Sequence, residues 1–314
     1  MSPSRSRRYT RSAFTLIELL VVMAIIAVLI ALTTAAVQKV RVVAVRVRVT
    51  TDITEMQDSL RAAMKKYSDA TVLPSRLVLF NDLTKYTTNP PLGETPYDTA
   101  LRKRSADALR KMFGPRLLSS GGYVSWDGTT NNTPTFLEGQ QCLVFYLGGV
   151  GGSTGFSADP LNPMNFTKVA DRIGPFFPFK SSRLVGGKFP SYLDPHRNPT
   201  DPLARPYAYF SSTAAPNTYN PYGTSDCPSL VDPGNTVSLW PYVDNTTSPP
   251  TYLNPNTFQI ISAGPDALFG VGGGPPGSPQ TFSNSVYNPK TGATDFPTRD
   301  NQANFSNTIL AGPQ

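Results

Sequence analysis

The chain is poor in the residues from which enzyme and metal sites are usually built. Its 314 residues include one histidine, His196, in the turn-like setting Asp194-Pro-His-Arg-Asn-Pro. A lone histidine without a nearby cysteine or second histidine supports neither a zinc site nor a catalytic triad. There is no phosphate-cradling P-loop, and no carboxylate pair stands in a context that marks general acid-base work. The chain is therefore expected not to be an enzyme, although a glycosidase-like pair of acids leaves no trace in sequence spacing. Cysteine is scarce as well: Cys142 and Cys227 lie far apart. Outside the cytoplasm they could form one disulfide, and they could equally be two buried thiols.

Acid is missing from the N-terminal region. The first 49 residues hold eight Lys/Arg and one acid, Glu18, which accounts for the whole net charge of +7. The remaining 20 basic and 20 acidic residues cancel. The body of the chain thus has no global basic footprint, and no nucleic-acid partner is expected.

What the N-terminus does have is one long apolar run. It opens with Phe14-Thr-Leu-Ile-Glu-Leu-Leu-Val-Val22, extends to Val37 and carries a single charge, Glu18. Arg5, Arg7, Arg8 and Arg11 precede it; Lys39, Arg41, Arg46 and Arg48 follow. As a helix at ~1.5 Å per residue, the run covers the ~30 Å hydrocarbon core of a bilayer. It is longer than the roughly 7–15-residue core of a secretory signal peptide. The flanking cations suit anionic headgroups but, being equal in number, do not set the orientation. An acid deep in a membrane helix costs about 2.5–3.5 kcal/mol, so Glu18 is either a functional residue with a partner or an interfacial residue solvated at the helix end.

The basic leader, the small residue Ala13 and Phe14-Thr-Leu-Ile-Glu-Leu-Leu-Val-Val22 together resemble the N-terminal signal of type IV pilins and type II secretion pseudopilins. The resemblance implies that a prepilin peptidase cuts between Ala13 and Phe14 and methylates the new amino group. The family usually has Gly where this chain has Ala13. The resemblance further implies that Glu18 meets the N-terminal amine of a neighbouring subunit and sets its axial register, a pairing that makes a buried charge tolerable. It also implies a leader in the cytoplasm, a single-pass inner-membrane helix and a head in the periplasm. The implied partners are the bilayer, other copies and minor pseudopilins in a helical filament, and an inner-membrane assembly platform.

Along the chain, residues 1–13 form the leader and residues 14–67 one long helix, with 14–37 its membrane half. Ile53, Met56, Leu60, Met64 and Tyr67 recur at helical spacing and predict a buried face. Val-Arg alternation over 41–49 resembles a strand, but helical patterns on both sides favour continued helix, with a kink at 42–51 as the alternative. Residues 68–314 read as a loop-rich head. Residues 97–113 predict a second helix ending at Gly114-Pro115, with Leu101, Ala108, Leu109, Met112 and Phe113 on its apolar face. Its Arg102, Lys103, Arg104, Arg110 and Lys111 form either a solvated face or a partner surface. Residues 141–147 suit a strand or a short buried helix; 207–210 and 257–262 are further strands. The fold class is α+β and pilin-like: a long N-terminal helix packed on a small antiparallel sheet, with a large loop-rich head.

The stretch Thr257-Phe-Gln-Ile-Ile-Ser-Ala-Gly-Pro-Asp-Ala-Leu-Phe-Gly270 resembles the C-terminal end of the major pseudopilin of type II secretion. That resemblance implies a calcium ion bound by Asp266 and Asp300, with Asp295 a further candidate; otherwise no cofactor is required. Ala267 stands where the family often has Gly, and about thirty residues separate the two acids. The other reading is that these acids cap turns. The filament subunit has one rival from another class: a membrane-anchored binding protein for a glycan or secreted substrate, whose platforms would be aromatics such as Trp126 and Trp240 if exposed.

Overall fold

The computed structural model of the chain describes residues 15–67, 72–87, 95–119, 121–166, 171–213, 217–220, 223–233, 238–244, 251–270, 286–287, 294–295 and 301–305. Two compact units divide the chain, Met1–Val47 and Arg48–Gln314.

The helix α1 covers Leu16–Lys66. No Gly or Pro interrupts the sequence between Phe14 and Tyr67. The Val-Arg alternation at 41–49 is helical, and the strand-like pattern loses. Each Val costs only a few tenths of a kcal/mol in a helix, whereas stopping and restarting would require a second nucleation. In the first unit α1 is exposed through its apolar run: Leu16 is 81% accessible and Leu32 67%. It is long and apolar enough to cross a membrane.

In the second unit the stripe Val49, Ile53, Met56, Leu60, Met64 and Tyr67 is buried. It shares one core with Leu143, Tyr146, Tyr209, Phe258 and Ile260. After α1 come the strand β1 (Leu77–Leu79) and the helix α2 (Pro96–Phe113). Thr95 and Asp98 form a capping box at the start of α2: the Thr95 hydroxyl accepts from Asp98 N–H at 3.1 Å, and Asp98 accepts from Thr95 N–H at 3.2 Å. All five residues expected on its apolar face are buried. The strand β2 (Thr135–Leu137) pairs antiparallel with β1.

The helix α3 (Gly139–Gly148) contains 141–147, so the helical alternative holds there and the strand reading is corrected. Cys142 to Leu147 are all buried, so the helix has no polar face to reveal its period. Its start is marked by Gln141, whose Oε1 accepts from Glu138 N–H at 3.0 Å. Gly139 is required by space: a Cβ there would stand 2.0 Å from the Tyr209 carbonyl oxygen and 2.7 Å from Cys227 Sγ.

Beyond α3 come β3 (Ala208–Ser211), β4 (Cys227–Val231), β5 (Ser238–Leu239), β6 (Phe258–Ser262) and β7 (Gln302–Ala303). The central sheet has the order β7-β6-β3 and is antiparallel, with Ile260 opposite Tyr209 and Ile261 opposite Ala208. Alternation divides β6 between two cores. Phe258 and Ile260 join the core of α1 and α3, while Ile261 joins Ala208, Phe210, Leu239 and Phe269 on the other face. Several two-residue antiparallel pairs, such as Phe156–Ser157 with Arg172–Ile173, stiffen the loops.

Candidate functional site

Of the processing residues, Ala13 and Phe14 lie outside the described residues. Glu18 stands in the first turn of α1, where Thr15 holds it. Its Oε2 accepts from Thr15 N–H at 2.8 Å and from the Thr15 hydroxyl at 2.8 Å. In return Glu18 N–H donates to Thr15 Oγ1 at 3.3 Å. Thr15-Leu-Ile-Glu18 is thus a capping box, which satisfies amide hydrogens that a helix N-terminus leaves without partners. Thr15 is a residue the sequence reading missed, although Thr-x-x-Glu is a recognisable cap signature. The carboxylate therefore has donors from its own chain while its neighbours Ile17, Leu19 and Leu20 are exposed hydrocarbon.

Further along the apolar run, polar groups turn back on the helix. Thr33 and Thr34 donate their hydroxyls to the carbonyls of Leu29 and Ile30, at 2.8 and 2.7 Å. In a bilayer this satisfies two hydroxyls without water.

In the second unit the C-terminal part of α1 is also held by a buried ion pair. Arg183 Nη1 donates to Asp52 Oδ2 at 2.8 Å, and the Tyr207 hydroxyl donates to the same oxygen at 3.1 Å. The guanidinium also donates from Nε to the Leu193 carbonyl at 2.7 Å and lies 4.1 Å from the Tyr192 ring centroid. Both members are thus hydrogen-bonded, the condition under which buried charge is tolerated.

The C-terminal acids do not gather among the described residues. Asp266 is exposed, and its Oδ1 accepts from Leu268 N–H at 2.9 Å. Asp300 lies outside the described residues, and Asp295 is known here only by its strand pairing with Val286. No group of three or more His, Cys, Asp or Glu able to hold a metal occurs among the described residues. Ala267, in the position of the family's Gly, has a φ of 65°.

Cys142 and Cys227 are free, buried thiols, so the disulfide alternative is set aside. Trp126 and Trp240 are buried, which removes them as glycan platforms. The His196 side chain is buried with Nδ1 3.4 Å from Asp194 Oδ2, and that same oxygen accepts from the Ser262 hydroxyl at 2.6 Å. Serine and histidine both approach the carboxylate rather than each other, which is not the order of a triad. Gly151-Gly-Ser-Thr-Gly155 spells a nucleophile-elbow pattern but follows a helix and precedes a strand, the reverse of the setting that chemistry needs. On α2, Lys103, Arg110 and Lys111 are exposed, while Arg102 is buried and donates to the Lys85 carbonyl at 3.1 Å.

Residues 8–34 match the family model described as the prokaryotic N-terminal methylation motif. The match brackets Ala13, Phe14, the Thr15–Glu18 cap and most of the apolar run. It supports a type IV pilin-like family, whose precursors a prepilin peptidase processes, and a single N-terminal helix fits anchorage in the inner membrane. No curated protein and no solved structure matches the chain.

Proposed function

We propose that the chain is a structural subunit of a type II secretion pseudopilus or type IV pilus-like filament. In this reading prepilin peptidase cuts between Ala13 and Phe14 and Phe14 becomes the N-methylated first residue. The observation that carries the proposal is the methylation motif at 8–34, continuous with a helix whose apolar run is exposed from Leu16 onward. Such a surface needs lipid before assembly and other helices after it. Glu18 supplies the one charge in that run, and in the filament it meets the Phe14 amine of a neighbouring copy. The head faces the periplasm, and an inner-membrane platform with minor pseudopilins completes the assembly. The subunit has no reaction of its own; its chemistry is that of a peptidase and methylation substrate.

The test is the mass of the N-terminal peptide from protein taken out of native membranes. N-methyl-Phe14 is the expected terminus. An intact Met1 would indicate a plain anchor, and a cut near Ala36 a signal peptide; either overturns the reading. Glu18→Ala is expected to abolish incorporation into filaments while leaving the subunit in the membrane, and normal assembly of that variant would remove the role given to the carboxylate.

A further inference from the structure

The loop Gly264–Gly270 leaves β6 and carries Asp266, the acid for which the family resemblance implies calcium. Three of its carbonyl oxygens, at alternate residues, are already taken. Arg197 Nη2 donates to Pro265 O at 3.1 Å and Arg205 Nε to Ala267 O at 3.2 Å. Asn301 Nδ2 donates to Phe269 O at 3.2 Å, and the Tyr242 hydroxyl shares that acceptor. From the amide side, buried Asp232 accepts from Phe269 N–H at 2.9 Å and from Gly270 N–H at 2.7 Å. Asp266 spends Oδ1 on Leu268 N–H. Arg197 is itself anchored by Asp201 at 3.2 Å.

A calcium ion takes six to eight oxygens, usually with several carboxylates among them. Here the Pro265 and Ala267 oxygens face two guanidinium groups, cations that donate hydrogen bonds and accept none. An ion seated on the Pro265 and Ala267 carbonyls would stand beside two fixed positive charges and compete with their hydrogen bonds. We propose that Arg197 and Arg205 hold this loop in the way a bound divalent cation would, and that its conformation is independent of calcium. The left-handed backbone at Ala267, which a residue with a Cβ adopts only at a cost, is kept in place by the Arg205 bond to its own carbonyl. The inference is independent of how the N-terminus is processed.

The experiment is thermal melting of the full chain in detergent, with millimolar calcium chloride and with chelator. The expected result is one midpoint in both buffers. Replacing Arg197→Gln and Arg205→Gln together is expected to lower the midpoint by roughly 5–10 °C in either buffer. A wild-type midpoint raised by calcium would overturn the proposal, as would a double variant that melts with the wild type. The wild-type comparison needs no variant and decides the matter even if the double replacement fails to fold.

Discussion

Asp226 is a carboxyl almost without access to water. It accepts from the Ser75 hydroxyl at 2.5 Å and from Asn220 Nδ2 at 2.8 Å. Burial pushes its pKa above the usual carboxylate range, only partly opposed by Arg104 and by these hydrogen bonds. The native state then holds a proton that the unfolded chain releases at lower pH. The associated stability is fully present below the unfolded pKa and is lost as pH rises through the folded one. Wild type is therefore expected to gain stability relative to Asp226→Asn as the pH is lowered from neutral into that window; denaturant titrations of both at several pH values check it, and parallel curves would count against it. Burial likewise pushes both thiols up, Cys142 well above its ordinary value. Since the thiolate is the reactive form, native protein is expected to react slowly with a disulfide reagent and to release two thiols on denaturation. Absence of thiols after unfolding would restore the disulfide. At this scale Glu18 was legible as the single acid of an apolar run, without its cap partner Thr15. Arg183 was not, because its partner Asp52 lies 131 residues away and no local pattern records the pairing.

The elements divide by how many of their faces are wet. The second half of α1 and the whole of α2 each bury one face, so their apolar residues keep the helical period and could be read directly. The helix α3 is buried all round, so its period vanishes and the stretch reads first as a strand, with a buried helix as the alternative. The two-residue strand pairs are too short for alternation to register at all. Beside its buried apolar stripe, α1 is held in the second unit by the Asp52–Arg183 pair, whose worth can be measured. Arg183→Leu leaves Asp52 buried without its cation and is expected to cost about 3–5 kcal/mol. Adding Asp52→Leu removes the stranded charge and is expected to recover a large part of that loss. Denaturant unfolding of the two single variants and the double tests this; strict additivity would mean that the pair is not coupled.

For the whole molecule, the division at Val47/Arg48 separates a unit whose described apolar side chains are nearly all exposed from one that has its own cores. The balance of charge follows nearly the same line: the first unit carries +6 of the net +7, and the second, which begins at Arg48, carries +1. A chain beginning at Arg48 is therefore expected to be a folded monomer without detergent, whereas the full chain needs detergent or lipid. Size-exclusion chromatography with circular dichroism distinguishes these outcomes, and an aggregated fragment would show that the first unit is needed for folding. The α+β class and the long apolar helix at the N-terminus were legible from composition and one apolar run. The arrangement of the head was not, because its sheet joins strands from 208–211, 258–262 and 302–303 across long loops.

Because β6 contributes side chains to both cores, the strand cannot leave its place without disturbing both. Its amides are therefore expected to meet solvent chiefly when the second unit comes apart as a whole. In deuterated water the β6 amides would then be among the last to exchange, and their rate would follow the global unfolding equilibrium, making one five-residue strand a clock for the entire unit.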